Sequence, residues 1–387
     1  MNSAQELVYL DYAATTPMDE RVAERMREVQ RSAWFNPASN HAAGRRSAAV
    51  VAVAAQQTAA LLNIAADTLL WTSGATESNN LAILGTARQR AHRGRHLVTM
   101  RTEHKAVVDV FRALEKQGFD VTWLDPDSDG RLEIDRLATA LRDDTQLVSI
   151  MHINNETGVV QDIEGIGRLC RERGIAFHVD GAQAVGKVRL DLASLPIDLM
   201  SFTAHKFYGP KGIGALYVAD GVALEPQVFG GGQQRRLRPG TLPVDLIAGL
   251  GEAASICDGR IDEDLKHLQD LKMRLWRGIR SVAGLVPNGP LDDSYPGILN
   301  VSIADVEGES LLLALEPLCV ATGSACNSQS REPSYVLRAL GRSDREAQGS
   351  IRFSFGRGTT AGEIDAAAAA YSAAVKKLRQ LAPAQVA

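Results

Sequence analysis

The sequence predicts an α/β fold in which helices cover both faces of a mostly parallel sheet. Short apolar segments alternate with helical segments from about residue 69 to residue 220, and no internal repeat is present. This alternation is typical of parallel strands, because their crossover connections are usually helices. Hydrophobic residues make up 45% of the 387 residues, which is ample for a large core. The length alone suggests two or three compact units.

Composition and charge exclude several classes of protein. The net charge of −4 gives no global attraction to nucleic acid or to an anionic membrane. No apolar run is long enough to span a bilayer, and residues 1–16 lack the features of a secretory signal, so we expect a cytoplasmic protein. The cysteines have no metal-ligand spacing, and we predict no metal site; they are Cys170, Cys257, Cys319 and Cys326.

The N-terminal segment predicts one short strand and two helices. Residues 7–10 are apolar and typical of a strand. Asp19 or Pro17 begins a helix that continues to about Gln30, because both residue types favour the first positions of a helix. The alanine-rich residues 43–62 predict a long second helix.

A glycine turn between a strand and a helix is a candidate anion site. Residues 69–72 are apolar, residues 73–80 are small and polar, and a helical run follows. Backbone N–H groups at a helix N-terminus can bind a phosphate group. The alternative is an ordinary capped helix, because Thr76 and Ser78 are good capping residues.

Polar residues also follow other predicted strands. His104 comes after the strand predicted over residues 96–100, and Asn155 comes after the strand predicted over residues 147–151. A lone histidine is usually structural. One that shares an edge with other polar strand ends is a better candidate for stacking on a planar cofactor and moving protons.

A lysine and a carboxylate are expected at the same edge. The apolar residues 197–202 lead to Lys206, and the strand of residues 175–179 ends on Asp180. Such a pair suits pyridoxal phosphate (PLP), because the amine can bind the aldehyde and the carboxylate can keep the pyridine nitrogen protonated. The alternative is a surface lysine beside an unrelated aspartate. Ligands bind beyond the carboxyl ends of parallel strands, and the residues expected there favour PLP: Thr76, His104, Asn155, Asp180, Gln183 and Lys206.

The C-terminal half contains further candidate segments. Residues 230–241 are rich in glycine and arginine, and they either reach an anion, for example on a partner subunit, or form a flexible basic loop. Residues 246–282 are predicted to be helical and to connect two domains. Arg352, in the apolar strand of residues 350–354, either clamps a substrate carboxylate or belongs to a buried ion pair.

A small polar loop, residues 321–334, has Cys326 near its centre. Cys170, Cys257 and Cys319 have apolar surroundings that are typical of inert packing. An exposed thiol on a loop is more often reactive. About seven residues on each side give the loop a reach on the order of 20 Å, enough to move between solvent and a buried cofactor.

With these segments in view, the sequence resembles the cysteine desulfurases of the NifS/IscS type, in the class-V aminotransferase family. The resemblance implies PLP fold type I, the aspartate-aminotransferase-like fold, with a mostly parallel seven-stranded sheet in a large domain and a smaller α+β domain. The large PLP-binding domain would span residues 15–261, and the small domain would span residues 1–14 and 262–387 with the cysteine loop. The matching segments cover nearly the whole chain in family order: residues 10–17, 72–80, 102–107, 153–158, 178–183, 205–206, 323–326 and 350–354.

The resemblance also implies a reaction and residue roles. A homodimer with composite sites would convert L-cysteine to L-alanine and leave a persulfide on the nucleophile Cys326. Lys206 would hold PLP and transfer protons, and His104 would stack on the ring and act in acid–base steps. Asn155 and Arg352 would hold the substrate carboxylate. Asp180 would pair with the pyridinium nitrogen, and Gln183 would hydrogen-bond the ring oxygen. The residues implied to bind the phosphate are Ala75, Thr76, Thr203 and His205, with Thr241 from the partner subunit.

The identity of the sulfur acceptor stays open. Iron–sulfur cluster assembly, tRNA thiolation and DNA phosphorothioation would each use an acceptor after the same first half-reaction. Two departures from the family pattern are Asn327, where serine or threonine is expected, and Gln234, where relatives often have glutamate. The alternatives are another PLP enzyme of this fold, such as a selenocysteine lyase or an aminotransferase, and a catalytically silent scaffold. The loop around Cys326 favours the desulfurase.

Overall fold

Strands and helices alternate along most of the chain, as predicted. The structure is a computed structural model that describes residues 7–322 and 332–381. In these residues the α-helices are α1 Glu20–Ser32, α2 Ala42–Leu62, α3 Ala75–Gln89, α4 Lys105–Lys116, α5 Ile134–Ala140, α6 Ile163–Glu172, α7 Val244–Asp258, α8 Ile261–Ile279, α9 Gly308–Ala314, α10 Tyr335–Ala339, α11 Asp344–Gln348 and α12 Ala361–Leu381. The strands are β1 Val8–Tyr9, β2 Leu69–Thr72, β3 His96–Met100, β4 Asp120–Leu124, β5 Thr145–Met151, β6 Ala176–Asp180, β7 Leu199–Thr203, β8 Gly214–Val218, β9 Leu285–Pro287, β10 Ile298–Ile303, β11 Leu318–Cys319 and β12 Ser350–Ser354.

The central sheet has seven strands within the described residues, in the order β2-β8-β7-β6-β5-β3-β4. Strands β4, β3, β5, β6 and β7 pair in parallel, whereas β8 runs antiparallel to both β7 and β2. The predicted mostly parallel sheet of seven strands is therefore confirmed. Because only β8 is reversed, the carboxyl ends of the other six strands meet at one edge of the sheet.

Helices bury both faces of this sheet. Leu97 and Leu147 belong to a core cluster that includes Phe111 of α4 and residues of α3. Their sequence neighbours Val98 and Val148 belong to the larger cluster that includes residues of α2, α6 and α7. Successive side chains of a strand point to opposite faces of a sheet, so these strands contribute apolar residues to the core on both faces.

A smaller α+β unit contains the second sheet. Strands β12, β10 and β9 pair antiparallel in that order. Helix α12 contacts this sheet through Tyr371, whose ring meets Phe353 of β12 edge-on with a centroid distance of 5.8 Å. The N-terminal strand β1 pairs in parallel with β11, so Val8 lies opposite Leu318. The division of the chain at residues 14 and 261 stays a prediction.

Two helix boundaries differ in how well they were predicted. Helix α1 begins as expected, because the Asp19 side chain accepts a hydrogen bond of 3.0 Å from the backbone N–H of Arg21. The helical character predicted over residues 246–282 is confirmed for most of that range, which the structure divides into α7 and α8. Gly259 follows α7, and Arg260 has φ −126° and ψ −8°. Glycine has a low helix propensity, so the chain turns here.

The loop of residues 230–241 covers the β2 edge of the central sheet. The backbone N–H of Trp71 donates to Oε1 of Gln234 at 2.5 Å, and Nε2 of Gln234 donates to the carbonyl of Trp71 at 3.0 Å. Gln234, Arg235 and Arg236 all have positive φ, at 47°, 59° and 62°, which non-glycine residues seldom adopt. In the part of the chain that the structure describes, no helix has the length and apolar character needed to span a membrane.

Candidate active site

A cavity of about 480 Å³ opens at the edge where the parallel strands of the central sheet end. Thr241 does not line it in this single chain and is exposed. Cys326 lies outside the described residues, so its place relative to the cavity stays a prediction. The other predicted site residues all line the cavity: Ala75, Thr76, His104, Asn155, Asp180, Gln183, Thr203, His205, Lys206 and Arg352.

Lys206 reaches the cavity from the end of β7. The strand ends at Thr203, and a 3-10 turn over Ala204–Lys206 then turns the chain. The Lys206 amine donates to the backbone carbonyls of Ala13 at 2.6 Å and Ala14 at 2.8 Å. Ala13 and Ala14 also line the cavity, so these hydrogen bonds hold the amine at its wall.

Asp180 lies at the end of β6 and is only 5% exposed. Its Oδ2 accepts a hydrogen bond of 2.7 Å from Nδ2 of Asn79, and its Oδ1 accepts one of 2.9 Å from the backbone N–H of Ala182. Both carboxylate oxygens therefore have a hydrogen-bond donor within the protein. A buried carboxylate in this position is a suitable partner for a ring nitrogen.

Gln183 follows Asp180 by less than one helical turn and is also buried. Its Nε2 donates to the carbonyl of Ala13 at 2.8 Å, and its Oε1 accepts from the Lys187 amine at 2.5 Å. The amide is therefore held with its nitrogen on the side of Ala13, which lines the cavity.

The N-terminus of α3 forms the part of the cavity that suits a phosphate group. Gly74 precedes the helix with φ 155° and provides no side-chain cap. The first N–H groups of a helix have no acceptor within the helix, so those of Ala75 and Thr76 can bind an anion. Lys206 and Lys211 add positive charge to the same cavity. These residues fit PLP, because they provide an anion site, a reactive amine and a buried carboxylate together.

His104 and His205 are both imidazoles at the cavity. His104 is the N-cap of α4, and its Nδ1 accepts from the backbone N–H of Ala106 at 3.1 Å, so the neutral ring has its proton on Nε2. Burial, with smaller contributions from Lys206 and Lys211, lowers the pKa of His205 to about 4. His205 is therefore neutral at physiological pH and can donate one ring N–H to an anion.

Arg352 provides the cationic group of the opposite wall. One guanidinium nitrogen lies 2.7 Å from Oδ1 of Asp11, and another donates to the Asn155 carbonyl at 2.9 Å. Its Nε is buried and has no hydrogen-bond partner among the described residues. The side chain therefore forms the ion pair with Asp11 and also lines the cavity, while the clamp on a substrate carboxylate stays a prediction.

Hydrogen bonds anchor both described ends of the cysteine loop to this wall, through the backbone at Ala321 and through side chains at Ser334 and Tyr335. Ala321 exchanges two backbone hydrogen bonds with Arg352, at 2.7 and 3.2 Å. Ser334 donates to Oε2 of the buried Glu156 at 2.6 Å, and the Tyr335 hydroxyl donates to the Glu103 carbonyl at 2.6 Å. Burial raises the pKa of Glu156 to about 7, although Ser334 and the positive charge of Arg352 oppose the shift.

The other cysteines do not provide a reactive thiol. Cys170 and Cys257 are buried and unpaired, as predicted. Burial raises the pKa of Cys170 to about 12 and that of Cys257 to about 11, so both remain protonated at neutral pH. Cys319 is half-buried at the end of β11. A thiolate near neutral pH is therefore not expected at Cys170 or Cys257.

Sequence reasoning missed the residues that hold the predicted ones in place. Asn79 holds Asp180, Lys187 holds Gln183, and Asp11 holds Arg352. Asp11 and Asn79 lie in segments that match the family, so those segments could have pointed to them. Lys187 lies in no matching segment, and only its position four residues after Gln183 could have pointed to it. Glu156 likewise stood out only as part of a matching segment.

Comparison with known proteins defines the class of this protein. The aminotransferase class-V family matches residues 8–367, nearly the whole chain. The chain therefore belongs to the class-V aminotransferase family.

Relatives within that family define the type of enzyme. The chain is 52% identical to cysteine desulfurase IscS of Vibrio cholerae serotype O1 over 381 residues, which are 97% of this chain and 94% of that protein. A solved NifS-like protein superposes with a TM-score of 0.91 at 34% identity, covering 96% of this chain and all of that one. A structure of SspA in complex with cysteine gives a TM-score of 0.80 at 36% identity, and the match covers 90% of this chain and 99% of that one. The predicted similarity to NifS/IscS-type cysteine desulfurases is confirmed, and the protein is an enzyme of this type.

Proposed function

We propose that the protein binds PLP in the cavity at the sheet edge and transfers sulfur from L-cysteine to Cys326. The products are L-alanine and a persulfide on Cys326. In this reaction the Cβ–S bond of the substrate breaks, an S–S bond forms, and Cβ gains a proton. The observation that carries the proposal is that the Lys206 amine, the buried Asp180 carboxylate and the open N-terminus of α3 face one cavity.

Each cavity residue has a role in this proposal. Lys206 would hold the cofactor through its aldehyde and would move protons at the substrate Cα. Asp180 keeps the ring nitrogen protonated, and PLP when bound supplies an electron sink for charge at Cα. Nε2 of His104 is the atom that can exchange a proton with the substrate thiol or with Cys326, because Nδ1 is occupied. The phosphate would be bound by Ala75, Thr76, Thr203 and His205.

Arg352 and Asn155 are proposed to hold the substrate carboxylate. The unpartnered Nε of Arg352 supports this role, because a buried donor without an acceptor is costly. A carboxylate bound there would remove that cost. Asn155 lies beside it, and its backbone carbonyl already fixes the Arg352 side chain.

A homodimer is the proposed assembly, with Thr241 completing the phosphate site of the other subunit. Two large apolar side chains next to the loop of residues 230–241 support it, since Val228 is 54% exposed and Phe229 is 82% exposed. Exposed apolar groups of this size are typical of an interface. A cytoplasmic location and delivery of sulfur to an acceptor protein belong to the same proposal.

Incubation with L-cysteine tests the proposed function. Mass spectrometry of the Cys326 peptide should show one added sulfur atom, and L-alanine should accumulate. Cys326→Ser should keep the absorbance of bound PLP and lose sulfur transfer, whereas Cys319→Ser is the matched control and should keep both. Full turnover of cysteine by Cys326→Ser would instead favour a lyase, and absence of PLP absorbance would favour a silent scaffold.

A further inference from the structure

A half-buried lysine beside the active site, whose amine is enclosed by protein groups, has no role in the reaction described above. Lys187 lies one turn after Gln183, and its amine donates to Oε1 of Gln183 at 2.5 Å. The same amine lies 5.5 Å from the centre of the Tyr295 ring. Among the described residues, Lys187 forms no ion pair with a carboxylate. A lysine amine that is enclosed without a counter-charge is costly, so its retention needs a reason.

The contacts of Gln183 give that reason. Its amide has two ends of opposite character, and each end has one partner: Oε1 accepts from Lys187, and Nε2 donates to the Ala13 carbonyl. An amide held this way can present only its second N–H to the cavity. A rotated amide would present its oxygen, which would repel an electron-rich oxygen of a ligand.

We infer that Lys187 is a positioning residue that fixes the amide of Gln183 with its N–H group toward the ring oxygen of the cofactor. This inference rests on the proposed function, because it requires PLP in the cavity. A donor at the ring oxygen stabilises negative charge there. The oxygen then attracts the proton of the neighbouring lysine–cofactor linkage less strongly, so that linkage loses its proton at a lower pH.

The groups around Lys187 favour the neutral form of its amine. Lys206 and Arg352 are the cations that act on it, and the Cys257 thiol is the acidic group that acts on it. Burial is the main reason that the pKa of Lys187 lies well below its ordinary value, and the two cations lower it further. A neutral amine still donates a hydrogen bond, so the contact with Oε1 of Gln183 does not depend on the charge of Lys187.

The absorbance of the bound cofactor, titrated with pH, tests this inference in the intact enzyme. Gln183→Ala should raise the midpoint of this pH titration by about one unit. The reason is that a hydrogen bond to a charged oxygen contributes roughly 1.5 kcal/mol or more. Lys187→Met removes the donor and keeps the alkyl chain, so it should raise the midpoint in the same direction by at least half as much. Lys187→Arg keeps a donor and should stay closer to the wild type than Lys187→Met.

A double variant separates the hydrogen bond from a direct effect of charge. If Lys187 acts through Gln183, then Lys187→Met should add no further shift in the Gln183→Ala background. A full, additive shift in the double variant would overturn the inference, and so would an unchanged midpoint in Lys187→Met.

A fully buried lysine serves as the matched control. Lys272 is 1% exposed, and its amine donates to Ser294 at 2.6 Å, away from the cavity. Lys272→Met should lower the melting temperature and leave the absorbance midpoint unchanged, and an equal shift in Lys272→Met would overturn the inference. Absence of cofactor absorbance in the wild type would instead contradict the proposed function itself, and the inference with it.

Discussion

The two walls of the cavity are positioned by different kinds of interaction. On the sheet side, Asp180 and Lys206 follow β6 and β7, which pair within the hydrogen-bond ladder of the central sheet. On the opposite side, Arg352 lies in β12, which is also part of a ladder, but its guanidinium group is held by the Asp11 side chain. Ser334 lies outside the strands and is held by the Glu156 side chain. Backbone ladders keep their geometry when one side chain changes, whereas side-chain contacts do not. Substitutions on the sheet side should therefore remove chemistry, and those on the other side should also change geometry and stability.

The largest effect is expected on the sheet side, from Lys206→Ala. Loss of the amine removes both attachment of the cofactor and proton transfer, so we expect kcat to fall by about 10⁴-fold. The melting temperature should change little, because the ladder of β7 is intact. Steady-state kinetics and thermal unfolding measure the two quantities. Lys116→Ala, an exposed lysine at the end of α4, is the control, and a large loss of stability in Lys206→Ala would contradict the comparison.

Arg352→Lys should have the next largest effect, and on the other wall. Lysine cannot reproduce the contacts of the guanidinium with Asp11 and the Asn155 carbonyl while also meeting a carboxylate. We expect kcat/KM for L-cysteine to fall by about 100-fold, roughly 3 kcal/mol, mostly through KM. Arg357→Lys is the control, because Arg357 pairs with Asp264 outside the cavity. An unchanged KM in Arg352→Lys would contradict the proposed carboxylate site.

Glu156→Gln tests the electrostatics of the same wall. The pKa of Glu156 is raised from 4.5 to about 7 in the folded protein, so the native state keeps a proton that the unfolded state has lost. The wild type should therefore lose stability as the pH rises from about 4.5 through about 7. This loss amounts to up to about 3 kcal/mol in the free energy of unfolding. The variant has no titrating carboxyl group at this position, so its stability should not fall in this way.

Urea unfolding of the wild type and Glu156→Gln at pH 5 and pH 8 measures this difference. Glu164→Gln, an exposed carboxylate on α6, is the control and should follow the wild type at both pH values. A stability difference between wild type and Glu156→Gln that is the same at both pH values would show that Glu156 is charged in the folded protein.

Ser334→Ala should have the smallest effect. It removes one hydrogen bond to Glu156, which contributes about 1 kcal/mol to the free energy of unfolding. Because Ser334 is the described end of the cysteine loop, we also expect slower formation of the persulfide, about fivefold, with unchanged PLP absorbance. Single-turnover kinetics measure this rate. Ser32→Ala, at the exposed end of α1, is the control, and equal rates for the two variants would leave Ser334 without a role in the loop.

The contrast between the two walls of the cavity also explains how much of the site could be predicted from the sequence. Parallel strands place their carboxyl ends at one edge, so the alternation of strands and helices was enough to bring Asp180, Lys206 and His104 to one cavity. The contacts of Arg352 could not be predicted, because Asp11 lies in a distant segment that meets β12 only in the folded chain. The break between α7 and α8 was missed because Gly259 and Arg260 lie within an otherwise continuous helical pattern. The role of Thr241 needs a second subunit.

Gln234 has a consequence for the solubility of the protein. An uncovered strand at the edge of a sheet can pair with a strand of another molecule, which is a common route to aggregation. The amide of Gln234 satisfies both backbone groups of Trp71 as a neighbouring strand would. A glutamate at this position can accept but, when ionised, cannot donate, so it would leave the carbonyl of Trp71 without this donor. With Gln234 in place, the N–H and carbonyl groups of Trp71 are not available to a strand of another molecule.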